Sequence, residues 1–460
     1  MRTTPIEIDA ENPFANCKLN RERYADVLTS IVESYKDGFV LAVNGKWGTG
    51  KTTFMNMWRQ SLENKEYRTI YFNAWENDFT SEPMVAILGE LKSLTATENS
   101  LFDNILEKSA KFSSAILPIL AKTAATLAGF GGVADAIEKT SEAALSLINN
   151  EIEEYDKKKE ALSEIKNDLA AFIKENCGDK PLVFIVDELD RCRPDYAVEV
   201  LEKIKHLFAV EGVVFVLSID KEQLGHAVCG YYGSEKIDSR EYLRRFIDLE
   251  YTLPKPDIDL FAKHLYDYFD FAKFFEQKNR INNNNLKFED ESFFKLVSVF
   301  CHKRNITLRQ LEKIFAHTRI VSRCFIINNY VHPDVIFLLM TLKEYNNSLY
   351  ESIKTNSLTL EALAQALDEE FGVFTSDTNR TNGYFYFEFA ITLMIKFYSI
   401  QNRIDSPIIT NDEGIKDLNF ALKYTDTKRI AELFSYGGER NWASIAYYTN
   451  KIDLLENLKL

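Results

Sequence analysis

The pattern of apolar and polar positions divides the chain into two regions of different character. In the first, short apolar runs alternate with helical stripes. Gly38–Val43, Arg68–Phe72, Lys180–Val186 and Val213–Ile219 read as strands, and the last two are unbroken rather than alternating, as strands covered on both faces are. Helices are expected at about Asn20–Tyr35 (Tyr24, Leu28 and Ile31 on one face), directly after Lys51 (Phe54, Trp58 and Leu62 at i, i+4, i+8), from Glu82-Pro-Met84, and over Asp195–Leu207. Lys36-Asp-Gly38 stops the first of these. Strands joined by crossover helices predict an α/β domain with a mostly parallel central sheet, whose ligand lies beyond the carboxyl ends of the strands.

Residues 1–19, with Pro5, Asn12 and Pro13, read as an irregular lead-in, and the α/β domain as residues 20–256. Within it, 102–176 is a helical insert, long for a simple crossover. From Asn150 to Glu175 it is a charged helix, with Glu153/Lys157 and Glu154/Lys158 at i, i+4, stopped by Cys177-Gly-Asp179. Ala115–Ala134 is apolar enough to raise the question of a membrane span. Its Ile, Leu, Phe and Val residues contribute roughly −3 kcal/mol to insertion, which Lys122 offsets by about +3, before Pro118 and three glycines add their cost. A packed helix outside the bilayer is the expectation, with membrane contact left open. Past Pro254-Lys-Pro256 no strand is expected. Helical stripes recur (Phe293/Leu296/Phe300, Leu308/Leu311/Phe315, Val335/Leu338/Leu342), and Glu276–Leu286 is a polar loop. The expectation is a helical lid over 257–330 and a C-terminal helical domain over 331–460.

Composition changes this picture little. The 460 residues have room for two or three domains. A net charge of −14 argues against broad non-specific nucleic-acid binding. The six cysteines are scattered without metal spacing, and the polar, acidic N-terminus does not read as a signal peptide, so a reducing, cytoplasmic setting is expected.

The chemistry is concentrated where the first strand ends. Gly45-Lys46-Trp47-Gly48-Thr49-Gly50-Lys51-Thr52-Thr53 is a phosphate-binding P-loop between a strand and a helix. Its glycines let backbone N–H groups converge on an anion, and the helix N-terminus adds to the same point. Lys51 can reach the β- and γ-phosphates, and the Thr52 hydroxyl can ligate Mg²⁺. Asp187-Glu188, ending the strand Leu182–Val186, supplies the other half: Asp187 for the metal shell and Glu188 to polarise the attacking water. Ser218 and Asp220 end the next strand, where they could contact phosphate or water; Asp220 is equally placed to cap the following helix. Arg244, Arg245 and Arg309 are candidates for the guanidinium that stabilises transition-state charge. Asn450-Lys-Ile-Asp453 matches a guanine-reading pattern but lies in the helical tail, which keeps ATP as the expected nucleotide. His302-Lys-Arg304 reads as a solvated helix end.

Taken together, these residues resemble the KAP family of P-loop NTPases. The matching pieces are Asn20-Arg21, Tyr24-Ala25, Leu28, Trp47 within the P-loop, Asn73-Ala-Trp75, Asp187-Glu-Leu-Asp190-Arg191-Cys192, Phe215–Asp220, Tyr242–Asp248 and Thr307-Leu-Arg309-Gln-Leu, across roughly residues 20–320. The resemblance implies an ATPase of the additional-strand, catalytic-Glu division, often with helices inserted between its two nucleotide motifs. It also implies a role in bacterial antiphage defence, with homo-oligomers or other defence proteins as partners. The expected function is a Mg²⁺-dependent ATPase coupled to conformational change or assembly, the alternative a nucleotide-gated scaffold with negligible turnover.

Overall fold

The computed structural model describes residues 6–35, 38–80, 83–94, 100–114, 140–207, 210–283, 286–304, 306–325, 330–374, 382–435 and 443–457. The reading of Ala115–Ala134 falls outside these, as do the side chains of the Glu153/Lys157 and Glu154/Lys158 pairs. The chain divides into two compact units, Met1–Lys255 and Pro256–Leu460.

In the first unit the elements run α1 (Glu22–Ser34), β1 (Phe39–Asn44), α2 (Lys51–Asn64), β2 (Thr69–Asn73), α3 (Pro83–Lys92), α4 (Ser100–Ser114), α5 (Thr140–Cys177), β3 (Leu182–Asp187), α6 (Pro194–Leu207), β4 (Val213–Ile219), α7 (Lys221–Tyr232), α8 (Ser239–Arg244) and β5 (Leu249–Thr252). The strands form one parallel sheet in the order β2-β3-β4-β1-β5. Period-two alternation sorts its side chains. Val40, Ala42, Phe184, Val186, Phe215 and Leu217 enter a core with α3 to α7, while Leu41, Val43, Val183, Ile185, Val214 and Val216 enter a core with α1 and α2. Continued by one step, the second set places Asp187 and Ser218 on the side of the sheet where α2 begins.

Three of the expected strands run one residue further than their apolar runs, into Asn44, Asn73 and Asp187. Ladder pairing of Asn44 with Ile219 and of Asn73 with Asp187 sets those ends, not hydrophobicity. Strand β5 left no apolar run because it is an edge strand, paired only with β1 and largely exposed. The described part of the lead-in belongs to this unit: Phe14 is buried against Phe54 and the Asn64 side chain donates to the Ala10 carbonyl at 2.7 Å. Helices α4 and α5 of the insert meet through Phe102 and Phe172, ring centres 5.7 Å apart. Among the described residues no helix is long and apolar enough to cross a membrane.

The second unit is mainly helical, with two corrections to the sequence reading. A hairpin pairs Ile408–Thr410 with Lys416–Leu418, closed by a turn in which Gly414 takes φ +79; strands that short leave no periodic signal. Within the expected polar loop, Lys278–Ile281 forms a helical turn, because Arg280 is buried against Glu289 and over the Phe274 ring. In the core of this unit Phe293 and Phe315 lie against Phe337, ring centres 6.0 and 6.4 Å away.

Candidate functional site

The P-loop hangs between β1 and the first turn of α2. Gly48 and Gly50 have φ of +74 and +80, a left-handed backbone that L side chains adopt only with strain. The loop is tied to β4 by Gly45 N–H on the Ile219 carbonyl at 3.0 Å and by Trp47 N–H on Asp220 Oδ2 at 3.1 Å. The Thr49 hydroxyl closes it internally on the Lys46 carbonyl, at 2.7 Å. Behind it, the buried Arg21 guanidinium donates to the Gly50 carbonyl at 3.3 Å, and burial lowers its pKa to about 10. Lys51 donates to the Gly45 carbonyl. Burial pushes its pKa down, opposed by Asp190, Asp220 and Asp187 around it. Thr53 continues the first turn of α2.

Across the sheet edge, Asp187 is 1 % exposed and fixed at both oxygens, by the Tyr71 hydroxyl on Oδ2 at 2.8 Å and by Glu188 N–H on Oδ1 at 2.9 Å. Glu188 is brought to the P-loop: Thr52 Oγ1 donates to its Oε1 at 3.0 Å, and its Oε2 pairs with Arg191. Burial raises the Glu188 pKa, and the Arg191 charge opposes that rise. Ser218 stands in register with Asp187 on one side and Val43 on the other, fully buried, its hydroxyl without a hydrogen-bond partner among the described residues. Asp220 takes the capping role considered for it, accepting from Gln223 N–H of α7, and its other oxygen accepts from Trp47 N–H of the loop.

The arginines named from sequence fare differently. Strand β5 enters the sheet with Leu249 beside Leu41, so Arg244 and Arg245, which precede it, lie toward the edge where strands begin. Arg244 is exposed and paired with Glu241 at 2.6 Å. The structure therefore does not bring these two to the P-loop edge. Arg309 lies in the second unit, in the first turn of a helix that Thr307 and Gln310 start as a capping box. Asp453 of the guanine-like pattern is a structural anchor, accepting from Lys343 and from the Tyr350 hydroxyl, each at 2.8 Å. In the basic cluster, Arg304 pairs with Glu370 and His302 with Asp259.

Sequence reasoning assigned no site role to Tyr71, Asp190, Arg191 or Arg21. Trp47 donates its indole N–H to the largely buried Asp190, which joins the P-loop to the segment after β3. Burial raises the Asp190 pKa, and the Lys51 charge opposes the shift. Tyr71 could have been found from alternation, since Ile70 and Phe72 point into the opposite core.

The P-loop and the carboxylates of Asp187 and Glu188 thus converge at the carboxyl ends of the strands. The profile of the KAP family P-loop domain matches residues 21–325. The chain belongs to that family. As a KAP P-loop domain it carries a nucleotide-binding fold, with the helical insert and helical C-terminal region that the sequence led one to expect. The Phage T7 exclusion protein of Escherichia coli (strain K12) is 21 % identical over 266 residues, 53 % of this chain and 33 % of that protein. The chain therefore matches about a third of that relative's length. The crystal structure of a DNA replication initiation factor aligns with 98 % of this chain and 93 % of its own at 12 % identity, with a TM-score of 0.32.

Proposed function

We propose that this chain is a Mg²⁺-dependent ATPase whose turnover drives a conformational or assembly change in a bacterial antiphage defence system. The observation that carries the reading is the 3.0 Å contact of Thr52 Oγ1 with Glu188 Oε1, which joins a phosphate-loop hydroxyl to a carboxylate 136 residues away. In this reading Lys51 turns from the Gly45 carbonyl to the β- and γ-phosphates. Thr52 and Asp187 would hold the metal, and the Ser218 hydroxyl beside Asp187, which has no partner among the described residues, gives that corner a further oxygen ligand, which fits a hard cation. Bound Mg²⁺ supplies charge neutralisation across the transferring phosphoryl group. Glu188 orients the attacking water and accepts its proton. The defence role is supported by the named activity of the T7 exclusion relative; homo-oligomers or other defence proteins are the proposed partners, in the cytoplasm.

The test is ATP binding and hydrolysis by wild type, Lys51→Ala and Glu188→Gln, each with and without co-expressed neighbouring proteins, together with phage challenge of expressing cells. Lys51→Ala should lose binding, and Glu188→Gln should bind while turning over about a hundredfold or more slower than wild type. Wild type that binds ATP yet hydrolyses no faster than Glu188→Gln would make the chain a nucleotide-gated scaffold instead. Normal ATP binding by Lys51→Ala would remove both readings.

A further inference from the structure

Three carboxylates crowd the end of β3, at positions 187, 188 and 190, and Asp187 and Asp190 both act on Glu188 as like charges. Left to those neighbours, the Glu188 side chain would swing toward water. It does not: its side chain is only 10 % exposed. Its backbone is left-handed, with φ +62, a conformation that a non-glycine residue adopts only with strain. The 3₁₀ turn Leu189–Arg191 then folds back, with Arg191 N–H on the Glu188 carbonyl at 3.1 Å. That turn delivers the Arg191 guanidinium onto Glu188 Oε2, while Thr52 holds Oε1.

Arg191 is itself seated. Its guanidinium lies 5.8 Å from the centre of the Trp75 ring. The segment that carries Trp75 is tied to the same stretch of chain, by Ala74 N–H on the Asp187 carbonyl at 2.9 Å and by Arg193 N–H on Asp78 Oδ2 at 3.0 Å.

We propose that Arg191 is a positioning residue for Glu188, holding the carboxylate against Thr52 from the Trp75 ring, and acting through that carboxylate rather than on the nucleotide. The inference rests on the ATPase reading for its consequence, and on the contacts of Arg191 with Glu188 and Trp75 for its geometry. Removing Arg191 leaves Glu188 among like charges with one hydroxyl to hold it, and misplacement of this kind is felt in turnover more than in binding.

The experiment has two arms. In nucleotide-free protein, thermal unfolding of Arg191→Ala, Glu188→Gln and the double variant should be coupled, the double losing at least roughly 2 °C less than the sum of the singles. In loaded protein, Arg191→Ala should bind a fluorescent N-methylanthraniloyl ATP with Mg²⁺ within about twofold of wild type while kcat falls about tenfold or more. Arg191→Lys should recover part of kcat, and the double variant should turn over no slower than Glu188→Gln alone. Additive unfolding losses would overturn the proposal. So would nucleotide affinity weakened more than about tenfold, or a double variant clearly slower than Glu188→Gln, since both mean that Arg191 acts on the nucleotide itself. Coupled unfolding with no wild-type turnover would sink the ATPase reading and leave the pairing established, so the two failures are told apart.

Discussion

Tyr71 offers the sharpest separation of metal handling from folding. Its hydroxyl donates to Asp187 Oδ2 at 2.8 Å, and the Glu188 amide holds Oδ1 at 2.9 Å, so the two donors together fix the rotation of a carboxylate that is 1 % exposed. Burial first, and the neighbouring Asp187 charge second, push the Tyr71 phenol well above its ordinary pKa, so it remains a donor at any working pH. Tyr71→Phe removes that one oxygen and leaves the ring. A hydrogen bond to an ionised acceptor contributes about 1.5–3 kcal/mol. Outer-shell donors to metal-binding carboxylates typically account for roughly 10–100-fold in metal affinity, or about 1.4–2.7 kcal/mol, so the two scales agree. The half-saturating Mg²⁺ concentration for ATP binding and turnover should therefore rise by roughly 10–100-fold, with ATP affinity at saturating Mg²⁺ changed little. The assay is a Mg²⁺ titration followed by a fluorescent ATP analogue and by phosphate release. A half-saturation point within about twofold of wild type would refute the assignment of Tyr71 as the orienting partner of a metal-side Asp187.

Gly50→Ala puts a Cβ on a backbone at φ +80, costing about 1–2 kcal/mol of strain at the mouth of the cradle; ATP affinity should fall severalfold by equilibrium titration. Asp368 accepts from the backbone N–H groups of Lys423, Tyr424 and Thr425 at 2.6, 2.9 and 2.9 Å; Asp368→Ala should cost about 3–5 kcal/mol by denaturant unfolding while leaving ATP binding in place. His332 is buried among Tyr330, Phe397 and Tyr448, and burial pushes its pKa down to about 3. A depressed histidine gives stability that is full above the unfolded value near 6.5 and is lost as pH falls toward 3, about 2 kcal/mol between pH 6.5 and 5. Asp334, whose pKa burial raises to about 6, works in the opposite direction over the same window. The measurement is therefore the difference between wild type and His332→Leu in unfolding free energy against pH, and equal slopes would refute it.

How much was legible in the sequence follows from the range of each interaction. The P-loop and the strand–helix alternation are local: glycine at a left-handed position, an apolar run and a helix start are decided within a dozen residues, so Gly45–Thr53 and the parallel α/β class could be read directly. The Asp187-Glu188 pair was legible because it follows a strand that must be central. What sequence could not decide was register. Which residue stands opposite which across the sheet brought Ser218 beside Asp187 and gave Asp187 the Tyr71 hydroxyl, and it put Arg244 and Arg245 at the edge away from the loop. The edge strand β5 and the hairpin at Ile408–Leu418 were invisible for the complementary reason: hydrogen bonding makes them strands, and too little of either is buried to leave a pattern. The pairing of Arg191 with Glu188 was likewise a tertiary decision. It depends on a left-handed residue at Glu188 turning the chain back on itself, and no local preference of glutamate foretells that conformation.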